Sequence, residues 1–339
     1  MKIDLEKLTI KKAYNALLKK EFTACELSES YLAAIEKKNP TLNAYLEVFA
    51  NVREQARHSQ EIFEQGNATI LTGIPFAIKD NILIQGRRVG AASKILEGYI
   101  APYDATVIKK LKEAGAIFLG RANMDEFAMG GSTENSAYGV TKNPHDETRV
   151  AGGSSGGSAA AVVAGLALAA LGSDTGGSVR QPAAFCGVIG LKPTYGAVSR
   201  FGLMAMGSSL DQIGPLAKNV EDAEIIFNAI HGQDPLDGTT ISEKTYPVGA
   251  LPKKFIVGVP RSFLGEGVDK EVLENFEASL KKLEQAGAEI RDIELSNIKY
   301  SLPVYYIIMP AEVSSNLARF DGVKFGAKIS GANLLEDYL

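Results

Sequence analysis

Two serine-bearing stretches and one lysine carry the residue types needed for covalent acyl transfer without a histidine. Val150 to Gly165 reads VAGGSSGGSAAAVVAG, with Ser154 and Ser155 set between glycine pairs. Further on, DTGGSVRQPA puts Ser178 directly after Thr175, Gly176 and Gly177. Upstream, TGIPFAIKDNI alternates Ile74, Phe76 and Ile78 on one strand face and sends Lys79 to the other at the strand end. A serine hydroxyl is a weak nucleophile and needs a base within hydrogen-bond reach. A lysine near a buried sheet edge is pushed toward its neutral form by desolvation, and a neutral lysine is such a base. Glycines before Ser178 permit the positive φ that turns consecutive backbone N–H groups toward one point, the geometry an oxyanion hole requires.

Other readings of these glycines are weaker. A P-loop needs G-x-x-x-x-G-K-[ST], and no lysine follows. A flexible linker does not continue into AAAVVAG, which has the composition of a buried helix start. GGSSG matches the G-x-S-x-G elbow, but that chemistry needs a histidine base. The three histidines are His58 in a charged helical stretch, His145 beside Pro144 and His231 near a helix end, and each reads as a surface residue.

Composition narrows the class. With 339 residues, 45% hydrophobic and 22% charged, the chain can bury a large core, so disorder and fibre readings drop out. A net charge of −4 gives no reason to expect nucleic-acid binding by the chain itself, and Lys19-Lys20 and Lys37-Lys38 read as solvated helix faces. The two cysteines, Cys25 and Cys186, are too few and too far apart for a disulfide framework or a CxxC metal site, which fits a reducing cytoplasm. MKIDLEKLTIKKAY mixes charges into every turn and does not read as a secretory signal. No run approaches the roughly 18–20 apolar residues of a membrane span.

The positioning elements follow from periodicity. Leu5, Leu8, Ala13, Leu17 and Leu18 recur near helical spacing, Thr23 and Glu26 fit a capping box opening a second helix, and Asn39-Pro40 is expected to end it. From about residue 70 short apolar strands alternate with helices. ATVIKKLKEAGAIFLG (105–120) and EVLENFEASLKKLEQAGAEIRDIEL (271–295) share one grammar of amphipathic helix, Gly115 or Gly287 at the C′ position, then strand. This alternation predicts an α/β fold with a parallel or mixed central sheet. The polar stretch 232–252 reads as a long surface connection, a subdomain border.

Together, GGSSGGS (152–158), DTGGSVRQPA (174–183) and AIKDN (77–81) closely resemble the amidase signature family. The resemblance implies a central mixed, twisted β-sheet with helices on both faces, a helical segment 1–65 packed on a core 66–339, and amide hydrolysis. It implies Ser178 as nucleophile, Ser154 as a bridging serine preceded by a cis peptide bond, Lys79 as base, and Thr175, Gly176 and Gly177 as oxyanion-hole backbone. Ser155 is expected in the same network, with a helix from near Gly157 aiming its N-terminus at it. RANMDEFAMGGSTENSAYGVTKNP (121–144) and SSNLARFDGVKFG (314–326) are similar, within that family, to the glutaminase subunits of tRNA-dependent amidotransferases.

That branch implies hydrolysis of glutamine, with ammonia channelled to a B-type subunit that binds tRNA and uses ATP and magnesium to amidate Glu-tRNA(Gln) or Asp-tRNA(Asn). A small C-type subunit would brace the cytoplasmic heterotrimer, and this chain would hold no cofactor or metal of its own. Gly130, Gly131, Ser155 and Tyr305 or Tyr306 are the expected glutamine contacts. The branch also implies a C-terminal portion beyond NLLEDYL that supplies sheet strands and groups gripping the α-amino and α-carboxylate. A stand-alone amidase for other small amides and a non-catalytic scaffold subunit are the alternatives.

Overall fold

Thr23 sets the entry to the helical layer at the N-terminus. Its hydroxyl accepts the Glu26 N–H at 3.1 Å while the Glu26 carboxylate accepts the Thr23 N–H at 2.7 Å, so the expected capping box is formed. It joins α1 (Ile10–Leu18) to α2 (Ala24–Leu42), whose Leu27, Tyr31 and Ile35 stack at four-residue spacing into the core. Pro40 does not end α2, contrary to expectation. The helix runs on to Leu42 and closes at Asn43, which takes a left-handed φ of 51° and donates its amide to the carbonyls of Tyr138 and Gly139. A proline in the last turn removes one N–H, and the next bond, Asn43 N–H to the Asn39 carbonyl at 2.8 Å, still forms.

This computed structural model describes residues 3–242, 254–265, 267–327, 331, 333, 335 and 336. They form two units, Met1–Ser242 with Met309–Leu339, and Glu243–Ile308. In the first unit, after β1 (Tyr45–Val48) and α3 (Val52–Glu64), come β2 (Pro75–Lys79), α4 (Thr106–Glu113) and β3 (Ile117–Ala122). A short hairpin of β4 (Lys142–Asn143) and β5 (Asp146–Val150) precedes α5 (Gly156–Val163), β6 (Ala169–Asp174), α6 (Arg180–Cys186) and β7 (Ile189–Gly190). β8 (Gln212–Ala217) and α7 (Val220–Ile230) complete the sheet and its cover.

The six strands run in the order β1-β3-β2-β6-β8-β7. β2 pairs in parallel with β3 and β6, while β1, β8 and β7 add antiparallel flanks, so the sheet is mixed. Every residue of β2, β6 and β8 is buried. Successive residues of a strand point to opposite faces, so both faces of the centre are covered by helices. α5 lies across β2, β3, β6 and β8, α3 packs on β3, and α7 packs on β8.

The second unit holds β9 (Phe255–Val259), α8 (Lys270–Gln285) and β10 (Ala288–Asp292) in a parallel β-α-β arrangement, with Gly287 at φ 99° turning from helix to strand. α9 (Ser301–Leu317) follows it. Residues 243–252 of the predicted surface connection lie outside the described residues, and its first part is not loose. Asp234 accepts the hydroxyls of Thr106 and Ser199, and Asp237 accepts the Arg200 N–H, so the stretch is pinned to the first unit. Among the described residues no helix is long and apolar enough to cross a membrane.

Replacing Thr23 by alanine removes one partner of the box and is expected to cost about 1 kcal/mol in urea unfolding.

Candidate active site

β2 ends in the middle of the covered sheet, and its last side chain is therefore a lysine with no route to water. Lys79 is wholly buried, with Nζ 2.7 Å from Ser154 Oγ, 3.0 Å from Ser173 Oγ and 3.2 Å from the Ser173 carbonyl. Burial pushes its pKa down to about 7, against the opposing pull of the Asp125, Asp174 and Asp211 carboxylates. A neutral amine has two N–H bonds for the Ser173 oxygens and a lone pair for the Ser154 hydroxyl. Ser173 Oγ also accepts the Asn81 side-chain amide at 2.9 Å, which fixes it from the opposite side.

Ser154 follows a cis peptide bond from Gly153. The next residue links the two serine stretches through the main chain, since the Ser155 N–H donates to the Ser178 carbonyl at 3.1 Å. The Ser155 hydroxyl is buried and donates to the Ser173 carbonyl at 3.2 Å, so it faces β6. α5 can start here because Gly157 has no side chain. A Cβ there would come within 2.4 Å of the Asn123 carbonyl oxygen and 2.5 Å of that of Ala44. Ser178 keeps 8% of its surface, while Ser154 and Lys79 have none, which orders the three from solvent inward.

The turn between β6 and α6 is shaped by Asp174. Its carboxylate accepts the N–H groups of Gly177 at 2.8 Å, Val179 at 3.1 Å and Arg180 at 3.3 Å, and a two-pronged Arg180 guanidinium at 3.0 Å. Burial alone would raise this carboxyl, but Arg180 and the backbone donors outweigh it and hold the pKa below the ordinary value. Thr175 donates its hydroxyl to Asp211 at 2.6 Å, and Asp211 also accepts the Met206 and Gly207 amides. Among the described residues the amides of Thr175, Gly176 and Ser178 meet no acceptor, whereas that of Gly177, at φ 138°, is committed to Asp174. The donors open to a ligand thus differ by one position from the expected Thr175, Gly176 and Gly177.

Gln181 ties the loop after Met129 to this centre, donating to the Gly131 carbonyl at 2.7 Å and accepting the Gly153 N–H at 2.8 Å. Gly131 is exposed beside it, and Gly130 packs on Asp125. Tyr305 and Tyr306 lie in the second unit, their rings edge to face at 5.9 Å, and are not among the residues gathered around Lys79 in the first. His58 is exposed, His145 Nε2 sits 3.0 Å from the Cys186 carbonyl, and His231 stacks on Phe227. Asn81, Asp125, Ser173, Asp174, Gln181 and Asp211 were not anticipated. Their signal was a polar residue at the end of an apolar strand run, as in LALAALGSD and IFLGRANMD.

A family model described as Amidase matches residues 26–339. The glutaminase-bearing component of the same branch in Ruminiclostridium cellulolyticum, its glutamyl-tRNA(Gln) amidotransferase A subunit, is 51% identical over 330 residues, which is 96% of this chain and 68% of that protein. The crystal structure of the glutamyl-tRNA(Gln) amidotransferase A subunit from Thermotoga maritima superposes with a TM-score of 0.81 at 48% identity, covering 93% of this chain and 67% of that one. The peptide amidase of Stenotrophomonas maltophilia reaches a TM-score of 0.84 at 29% identity, over 96% and 70% of the two chains.

The Lys79 geometry has a thermodynamic signature. Its folded pKa of about 7 lies below the ordinary 10.5, so between these values the unfolded chain binds the extra proton and stability rises with pH. A full proton of difference contributes about 1.4 kcal/mol per pH unit. Urea unfolding between about pH 7 and about pH 9 should show Lys79→Met losing most of that slope relative to the parent.

Proposed function

The chain belongs to the amidase family, and we propose that within it the chain is the glutamine-hydrolysing A-type subunit of a tRNA-dependent amidotransferase. The observation that carries the chemistry is the 2.7 Å approach of the buried Lys79 Nζ to Ser154 Oγ, one main-chain link from Ser178. The likeness to amidotransferase A subunits supports glutamine as the amide.

Ser178 Oγ attacks the carboxamide carbon of glutamine. Its proton passes to Ser154 as the Ser154 proton passes to neutral Lys79, a serine–lysine relay in place of histidine. The oxyanion is met by the amides of Thr175, Gly176 and Ser178, already aimed and without other partners to give up. Collapse returns the proton to the leaving nitrogen, the C–N bond breaks, and ammonia departs, leaving an ester on Ser178. Water, deprotonated through the same relay, then attacks the ester, releasing glutamate and restoring the Ser178 hydroxyl. Asp174, fixed by Arg180, and Asp211, fixed to Thr175, keep the amide donors in place.

Ammonia passes to a B-type partner that binds misacylated tRNA and activates it with ATP and magnesium, and a small C-type subunit braces the pair. Gly131 and one of Tyr305 and Tyr306 contact the substrate. The likeness to a peptide amidase supports a second reading, a stand-alone amidase for other amides, which would turn over simple amides without partners and use glutamine poorly.

Two measurements check the first reading. An electrophilic glutamine analogue, incubated with the chain alone and with its partner subunits, should leave an adduct that peptide mass spectrometry maps to Ser178. The adduct should vanish in Ser178→Ala, and its absence from the parent in both preparations would refute glutamine recognition. The pH profile of glutamine hydrolysis should climb about tenfold per unit and level off as Lys79 loses its proton near its pKa of about 7, with Lys79→Ala and Ser154→Ala each down by roughly three orders of magnitude or more.

A further inference from the structure

Asp125 is a buried carboxylate that the relay does not use. It follows the end of β3 in NMDEF and is fully enclosed. Its own N–H donates to the Ser154 carbonyl at 3.2 Å, and its Oδ1 accepts the Asn135 N–H at 3.2 Å. Oδ2 meets no donor among the described residues. A buried carboxylate oxygen without a partner is costly, so the position needs a reason.

The surroundings supply it. A Cβ built on Gly130 would lie 2.3 Å from Asp125 Cγ, and one built on Gly153 would lie 2.0 Å from Oδ2. The second point is also 2.7 Å from the Ser132 nitrogen and 2.9 Å from that of Thr133, and neither amide has an acceptor among the described residues. The carboxylate, the backbone of Gly153 and two unmatched amides therefore converge on one spot against the Gly153–Ser154 bond. We infer that Asp125 is a positioning residue of the acylation machinery, holding the loop 130–135 and Ser154 in register and presenting its negative charge to Lys79.

Three carboxylates act on Lys79, those of Asp125, Asp174 and Asp211. Asp174 is paired with Arg180 and three amides, and Asp211 accepts Thr175 and two amides. Asp125 has one backbone donor and no cation in contact among the described residues, so its field reaches the lysine with the least cancellation. Of the three it is the strongest in keeping Lys79 protonated. Asp125 thus sets how far burial lowers the proton affinity of the base. This inference rests on the serine–lysine relay described above.

The test is the acylation rate of Ser178 by a fluorophosphonate, which reads the nucleophile without needing glutamine, from about pH 5 to about pH 9. Asp125→Asn keeps the shape and removes the charge. Its rate limb is expected to move toward lower pH by about half a unit or more, with a lower plateau. A limb that stays where the parent has it overturns the inference whatever the plateau does, because lost packing alone lowers a plateau without moving a pKa. A parent with no limb at all places the failure in the Lys79 relay itself. If Asp125→Asn does not fold, Asp125→Ser is read in the same way.

Discussion

The withdrawal of a single amine from water organises this molecule. Lys79 can lose its proton near neutrality only because β2 lies between two parallel neighbours and beneath helices on both faces, leaving the ammonium no hydration. An open sheet would let the side chain reach solvent and return to an ordinary lysine. The mixed strand order and the alanine-rich walls of α5 and β6 are therefore part of the chemistry. Small side chains let helix and sheet approach closely enough to exclude water from the end of β2.

Around that amine, the carboxyl ends of three adjacent parallel strands come together. β2 delivers Lys79, β6 delivers Ser173 and Asp174, and β3 leads into Asn123 and Asp125. Parallel neighbours end on the same side, and the chain must turn there into loops that carry polar groups. The serine loops are then fixed by side chains reaching over short distances. Asp174 gathers amides from the turn that follows it, Gln181 clasps Gly131 and Gly153, and Asp211 holds Thr175.

Much of this was legible in the chain. Serines between glycines and a lysine closing an alternating apolar run are local patterns, and the structure brings Lys79, Ser154 and Ser178 into one region with the linkages described. The Thr23 capping box was equally local and formed as read. What escaped reading depended on contacts distant in sequence. Pro40 was tolerated because Asn43 finds carbonyls near residue 138, almost a hundred positions away. The Gly177 amide was lost to Asp174 because a carboxylate at the strand end competes for the turn's donors, which glycine content does not reveal. Tyr305 and Tyr306 were assigned from likeness alone, and their separation into the second unit leaves the first unit's geometry silent about them.

The bond from the Ser155 N–H to the Ser178 carbonyl joins the two serine segments through atoms every residue possesses. Removing either reactive hydroxyl leaves that strut untouched, along with the amides beside it. The scaffold and the reactive groups are thus chemically separable, so a protein stripped of its nucleophile can keep the contour of its working form. Such an inert copy would serve as a faithful mould for capturing an uncleaved amide, and the captured molecule would report the native shape of the pocket.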